Sequence, residues 1–157
     1  MKKKGKVLRK KVSHSVEVDV SGQLSDTKNT VFAFSNGESY AIVVSGKAKR
    51  VVLRAHRASM NRPKDFSLQF YLAGLKILFF SSKKNLTSVV LDREIVGHET
   101  KIKAALSSYF DSLEIRTIGR KSAAHHLAYG IYTGKKKPNK IVKEKEIILM
   151  MGLEDKK

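Results

Sequence analysis

The chemistry available to this chain lies in its acids, its bases and five histidines. It contains no cysteine, which removes a thiol nucleophile, a disulfide framework and a thiolate zinc site together. Ser15 and the Ser81-Ser82 pair lack a spaced His/Asp partner pattern, so no serine nucleophile is indicated. Gly119-Arg-Lys-Ser122 is similar to a phosphate-binding helix start but lacks the spacing of a P-loop, which disfavours a nucleotide hydrolase. Two aspartates remain, one within Val18-Asp19-Val20-Ser21-Gly22 and one closing Ser88-Val-Val-Leu-Asp92. Asp19 can cap the Ser21-Gly22 turn or bind a cation, and Asp92 can pair with Arg93, Arg116 or Arg120 or do the same. Three basic clusters complete the set: Lys47, Lys49, Arg50, Arg54 and Arg57; Arg120 and Lys121; and Lys135, Lys136 and Lys137.

The charge balance gives those clusters a partner. There are 32 Lys+Arg against 14 Asp+Glu, a formal net charge of +18, so the folded surface repels itself unless a polyanion neutralises it. Hydrophobic residues make up 41%, enough to assign the charge to a folded body rather than a solvated coil. Nucleic acid is the expected partner, held through its phosphates with a steep salt dependence. Tyr40, Tyr129 and Tyr132 are candidates for base stacking, with core packing as the alternative, so backbone and shape recognition should outrank base readout. No stretch reaches the ~18–20 apolar residues of a membrane span, and the charged N-terminus has no apolar signal core behind it. The expected location is therefore cytoplasmic.

A length of 157 residues suits one core. Residues 1–14 are expected to form a basic arm, 15–133 the folded domain, and 134–157 a basic loop followed by a C-terminal helix. Val16, Val18 and Val20 alternate with Glu17 and Asp19 as a half-buried strand requires. Thr30–Phe34 and Tyr40–Val44, separated by Asn36-Gly37, add two antiparallel strands. Lys47, Lys49 and Arg50 read as a basic turn, with Val51-Val-Leu53 extending or adding a strand. Pro63 and Asp65 mark a helix start, and Phe66 to Phe80 is apolar nearly all round, as a buried helix is. Ser88–Asp92 is a short buried strand, Gly97-His98-Glu99 leads into an amphipathic helix, and Leu113–Ile118 is a strand. Arg120-Lys121-Ser122 opens a third helix. Three antiparallel strands followed by alternating helices and strands predict an α/β domain, a mixed sheet with helices on both faces.

That order of elements resembles the ribonuclease H-like superfamily of ribonucleases H, integrases and resolvases, over about Ser15 to Tyr132. The resemblance implies a mixed five-stranded sheet with one carboxylate in the first strand, a second ending the fourth, and a third ligand on the last helix. Asp19, Asp92 and His125, the last within Lys121-Ser-Ala-Ala-His125-His126, stand at those places. It further implies a nucleic-acid-binding nuclease that cleaves phosphodiester bonds in structured RNA, hybrid or branched DNA with Mg²⁺ or Mn²⁺. Asp19 would bridge metals, Asp92 would hold one, and His125 would be a ligand or a proton-transfer group. Glu94, two residues past Asp92, is an auxiliary metal ligand, and Glu17 is another acid nearby.

Like charges crowded in a dry site raise each other's pKa unless a cation intervenes, which is the physical case for a divalent metal between Asp19 and Asp92. The chain departs from the family at its first long helix, which carries no acid between Phe66 and Phe80. The alternative reading follows from that departure: a non-catalytic RNA-binding or ribosome-associated protein on the same scaffold.

Overall fold

Alternation decides the first three strands. In the computed structural model, which describes residues 14–24, 26–59 and 65–153, β1 (His14–Ser21), β2 (Thr30–Asn36) and β3 (Glu38–Val44) form an antiparallel meander. Val16, Val18 and Val20 project to one face of the sheet with Phe32, Phe34, Ile42 and Val44. By the two-residue period of a strand, Glu17, Asp19 and Ser21 project to the other. The expected arm falls outside the described residues except for His14, as do Arg62 and Pro63.

Beyond β3 the chain enters a helix where a turn and strand were expected. Val51-Val-Leu53 belongs to α1 (Gly46–Ala58), whose first turn is capped by Ser45 Oγ accepting the Ala48 N–H at 3.1 Å. Ala48 and Val52 are buried at helical spacing, a period that the short β-branched run conceals. Lys47, Arg50, Arg54 and Arg57 therefore lie along an exposed helix face rather than in a turn.

α2 (Phe66–Ser82) starts at Asp65, whose side chain accepts the Leu68 N–H at 3.2 Å. Its apolar circumference has a structural reason. One side packs on β2 and β3 and the other meets α3 (Glu99–Leu106) and α5 (Glu144–Met151). Gly74 lets the helix approach Phe32, whose ring occupies the space a Cβ would need.

β4 (Leu86–Leu91) and β5 (Ser112–Ile115) run parallel to β1, joined through α3 and a short 3₁₀ turn at Ser107–Tyr109. After β5 come α4 (Ala123–Tyr132), then β6 (Lys140–Ile141) parallel to β3. The strand order is β5-β4-β1-β2-β3-β6, so among the described residues the expected five strands are six. Two residues are too few to show a period. β6 is fixed instead by Asn139, whose Oδ1 accepts the Ala41 N–H at 2.8 Å while its own N–H donates to Ala41 O, also at 2.8 Å.

The architecture is thus α/β, a mixed sheet with helices on both faces. α4 packs on the face opposite the main core, where Ala128 and Ile131 meet Val31, Ala33, Ala41 and Val43. Small residues on both sides bring this helix close to β1 and β2. Among the described residues, no helix is long and apolar enough to cross a membrane.

Candidate metal centre and active site

Strand register brings the two aspartates together. Val18 of β1 lies level with Leu91 of β4, and the ladder continues one step further with Asp92 N–H donating to Val18 O at 3.0 Å. Asp19 and Asp92, each the next residue along, stand side by side, because parallel neighbours about 4.8 Å apart project to the same face. The chain then turns away from the sheet and returns Glu94. One carboxylate oxygen from each of Asp19, Asp92 and Glu94 lies within 4.8 Å of the others, a grouping that could hold a metal ion.

Each acid has its own surroundings. Asp19 is 5% exposed. Burial pushes its pKa up, and the nearby Asp92 adds to that, against hydrogen bonds from His125 and the Val20 backbone that lower it; the net direction is up. Asp92 Oδ1 accepts the Ile118 N–H at 3.0 Å, tying the end of β4 to the segment after β5. Of the three expected arginine partners of Asp92, Arg93 goes to Glu99 at 3.5 Å and Arg116 to Glu114 at 3.3 Å, while Arg120 is exposed. Glu94 is strongly perturbed. Burial first, then Asp19 and Asp92, push its pKa up to about 7.

α4 delivers His125. Ser122 Oγ accepts the Ala124 N–H at 3.1 Å and starts the helix, so position 125 falls one turn in, over β1. His125 Nδ1 lies 2.9 Å from Asp19 Oδ2. With the carboxylate ionised, Nδ1–H donates this bond, and in the neutral form of the ring the lone pair is on Nε2. Of the two adjacent histidines, His125 is half-buried at the site and His126 is exposed. The same helix stacks Tyr129 on His125, the rings 8° from parallel with centroids 6.0 Å apart.

Asp19, Asp92, Glu94 and His125 thus converge on one end of the sheet. His98 does not join them. It sits at the start of α3 with Nε2 3.1 Å from Asp65 Oδ2. Glu17 lies on β1 two residues before Asp19, outside the three-acid group. α2, which carries no acid between Phe66 and Phe80, presents Tyr71 near the three acids. This side chain is 2% exposed, and its phenol is pushed far above the ordinary range by burial and then by Glu94, Asp92 and Asp19. No sequence pattern marked Tyr71, because a tyrosine in an apolar helix reads as core.

Two basic clusters bracket α4. Arg120 and Lys121 precede its first turn, two and three residues after the Ile118 that binds Asp92, and both are exposed. Lys135, Lys136 and Lys137 follow its last turn, where the Lys135 and Lys136 N–H groups donate to Gly130 O at 2.8 and 3.0 Å. The third cluster needs a correction. Lys49 was expected to contact phosphate, yet it is fully buried. Its Nζ donates to Gln23 O at 2.7 Å, Thr30 Oγ1 at 2.7 Å and Asp26 Oδ1 at 3.1 Å. It faces inward because α1 lays this position against the β1–β2 loop and the start of β2, whose carbonyl, carboxylate and hydroxyl replace water around the ammonium. Burial would raise the Asp26 pKa, but the Lys28 N–H and Lys49 outweigh it and hold the carboxyl below its usual value.

Comparison with protein-family models, with curated proteins and with solved structures returns no match for this chain, so the assignment of function rests on the geometry above.

Proposed function

We propose that this protein binds nucleic acid and is a divalent-metal-dependent nuclease of ribonuclease H-like type. The observation that carries the reading is the meeting of Asp19, Asp92 and Glu94 within 4.8 Å, in a chain of net charge +18. Three hard oxygen donors suit Mg²⁺ or Mn²⁺. The fit is electrostatic as well, since Glu94 is pushed up to about 7, first by burial and then by the charges of Asp19 and Asp92, and a cation would relieve both. A bound divalent ion would supply the positive charge that phosphodiester hydrolysis requires at the scissile phosphate and the attacking water.

The chain's own groups do the rest. Asp19, held between β2 and β4, is the fixed point, and Asp92 is kept beside it by the ladder and by the Ile118 N–H. Asp19 orients His125 through Nδ1, leaving Nε2 to exchange a proton with a substrate oxygen. Arg120, Lys121, Lys135, Lys136 and Lys137, at the two ends of α4, bind the phosphates on either side of the reacting one. Supporting the ribonuclease H-like reading are the acid in the first strand, the acid closing β4, and the histidine on the helix after β5. Structured RNA, an RNA–DNA hybrid and branched DNA are the candidate substrates.

One observation favours the second reading, a non-catalytic RNA-binding or ribosome-associated scaffold. α2 places the neutral Tyr71 near the acids instead of a carboxylate. Cleavage of labelled structured RNA, hybrids and branched DNA with Mg²⁺ or Mn²⁺ separates the two. The nuclease reading requires activity that Asp19→Asn and Asp92→Asn abolish. Cleavage unchanged in both variants removes it, and binding without cleavage leaves the scaffold.

A further inference from the structure

Between the β1–β2 loop and α4 lies an open cleft of about 380 Å³, lined by Ser21, Gly22, Gln23, Glu94, Tyr129 and Tyr132 among others. It adjoins the three acids, because Glu94 belongs to both. Its aromatic residues are held in ways that core packing does not require. Tyr129 is 55% exposed, and its ring orientation is set by the stack on His125, itself bonded to Asp19. Tyr132, one turn on and 36% exposed, lies over Gly22, where a Cβ would meet the Asn29 carbonyl and stand 3.0 Å from Tyr132 Cε1. Gly22 also has φ +92°, so the turn that brings Tyr132 this close needs glycine twice over. Lys28 and Asp26 stand at the same cleft, on the loop that buried Lys49 ties down.

We propose that this cleft seats an unpaired nucleobase against Tyr129 and Tyr132, so that the protein takes nucleic acid with unstacked or single-stranded nucleotides in preference to continuous duplex. The inference rests on the nucleic-acid reading of the adjacent site and narrows its substrate class. Base–aromatic stacking needs a π-face that a base inside a duplex has already given to its neighbours, whereas an unpaired base offers it freely. The volume is at the small end for a ligand site, suited to one base and its sugar.

The chain has five tyrosines and no tryptophan, so quenching of tyrosine emission reports stacking directly. Binding is measured in EDTA, where no cleavage can occur, to a single strand, a duplex and a duplex with an unpaired bulge, in RNA and DNA versions. The expected result is tighter binding and stronger quenching for the single strand and the bulge. Tyr129→Ala should weaken that binding by about 10-fold, as loss of a stacked base does, leave duplex affinity unchanged, and be rescued by Tyr129→Phe. Tyr132→Ala should act in the same direction. Equal affinity for all three forms, or tyrosine variants that bind them as the wild type does, overturns the inference. Absence of binding to any nucleic acid overturns the proposed function with it. Tyrosine-dependent binding without cleavage on adding Mg²⁺ or Mn²⁺ upholds the inference and removes the nuclease alone. The RNA and DNA arms identify which sugar the cleft accepts.

Discussion

Glu94→Gln should raise the stability of the ion-free protein and abolish its stabilisation by divalent ions. At the 4.8 Å that bounds the acid cluster, two full charges repel by about 3–4 kcal/mol at an effective dielectric of ~20. Glu94 is only about half ionised near pH 7, since its pKa is pushed up to about 7. At pH 8 it is mostly charged, and the amide should then relieve about 1–3 kcal/mol of repulsion. For a chain of this length that is a rise of about 3–8 °C in Tm, measured by circular dichroism in EDTA. With Mn²⁺ at a hundred times its Kd the wild type should gain about 2.7 kcal/mol, and the variant little. The opposite signs matter, because a merely structural glutamate would lower the Tm in both conditions when replaced. A Glu94→Gln protein less stable in EDTA, together with a wild type indifferent to Mn²⁺ and Mg²⁺, would refute the claim that these acids form an uncompensated cation site.

Three further outcomes are expected of the same structure. Glu94 has a folded pKa near 7 against an ordinary 4.5, so between those values the folded state binds more protons than the unfolded one. Stability in EDTA should therefore fall as pH rises from about 4.5 to 7, by up to about 3 kcal/mol from this group, and Glu94→Gln should flatten that slope in urea titrations at several pH values. Lys49→Met should cost about 2–3 kcal/mol by urea unfolding, since it strips a charged donor from Thr30, Gln23 and Asp26. It should leave the salt slope of nucleic-acid binding unchanged, whereas Arg120→Gln should reduce it by about 0.9. Gly74→Ala should cost about 1–3 kcal/mol, because its methyl would enter the space of the buried Phe32 ring, and Tm measurements of the variant test this.

The parts of this fold that the sequence announces are those with a clean period. The valines at 16, 18 and 20 show both the strand and the face on which Asp19 must lie, and the apolar run from Phe66 shows a helix covered on several sides. Asp92 is legible because it closes an apolar strand. What the sequence hides is what depends on contacts remote along the chain. β6 exists because Asn139 docks on Ala41, 98 positions away, and no local pattern of Lys140-Ile141 would reveal it. Lys49 looks like any lysine in a basic cluster until α1 turns it toward Gln23 and Thr30. Glu94 is legible as an acid near Asp92, but its perturbation depends on burial that only the folded loop supplies.

The two scales of charge in this molecule act in opposite directions, and that opposition bears on the proposed function. A net charge of +18 attracts a polyanion from a distance, with a range set by a screening length of ~8–10 Å at physiological salt. At the end of β1 and β4 the local field has the other sign, because Asp19, Asp92 and Glu94 stand together with His125 bonded to only one of them. A phosphate steered in by the basic residues flanking α4 would be repelled over the last few ångströms. A divalent cation among the acids reverses that local repulsion without altering the surrounding attraction. Binding to the flanks should then tolerate EDTA while occupancy of the acidic centre requires the ion, so affinity and cleavage should separate when the metal is withdrawn.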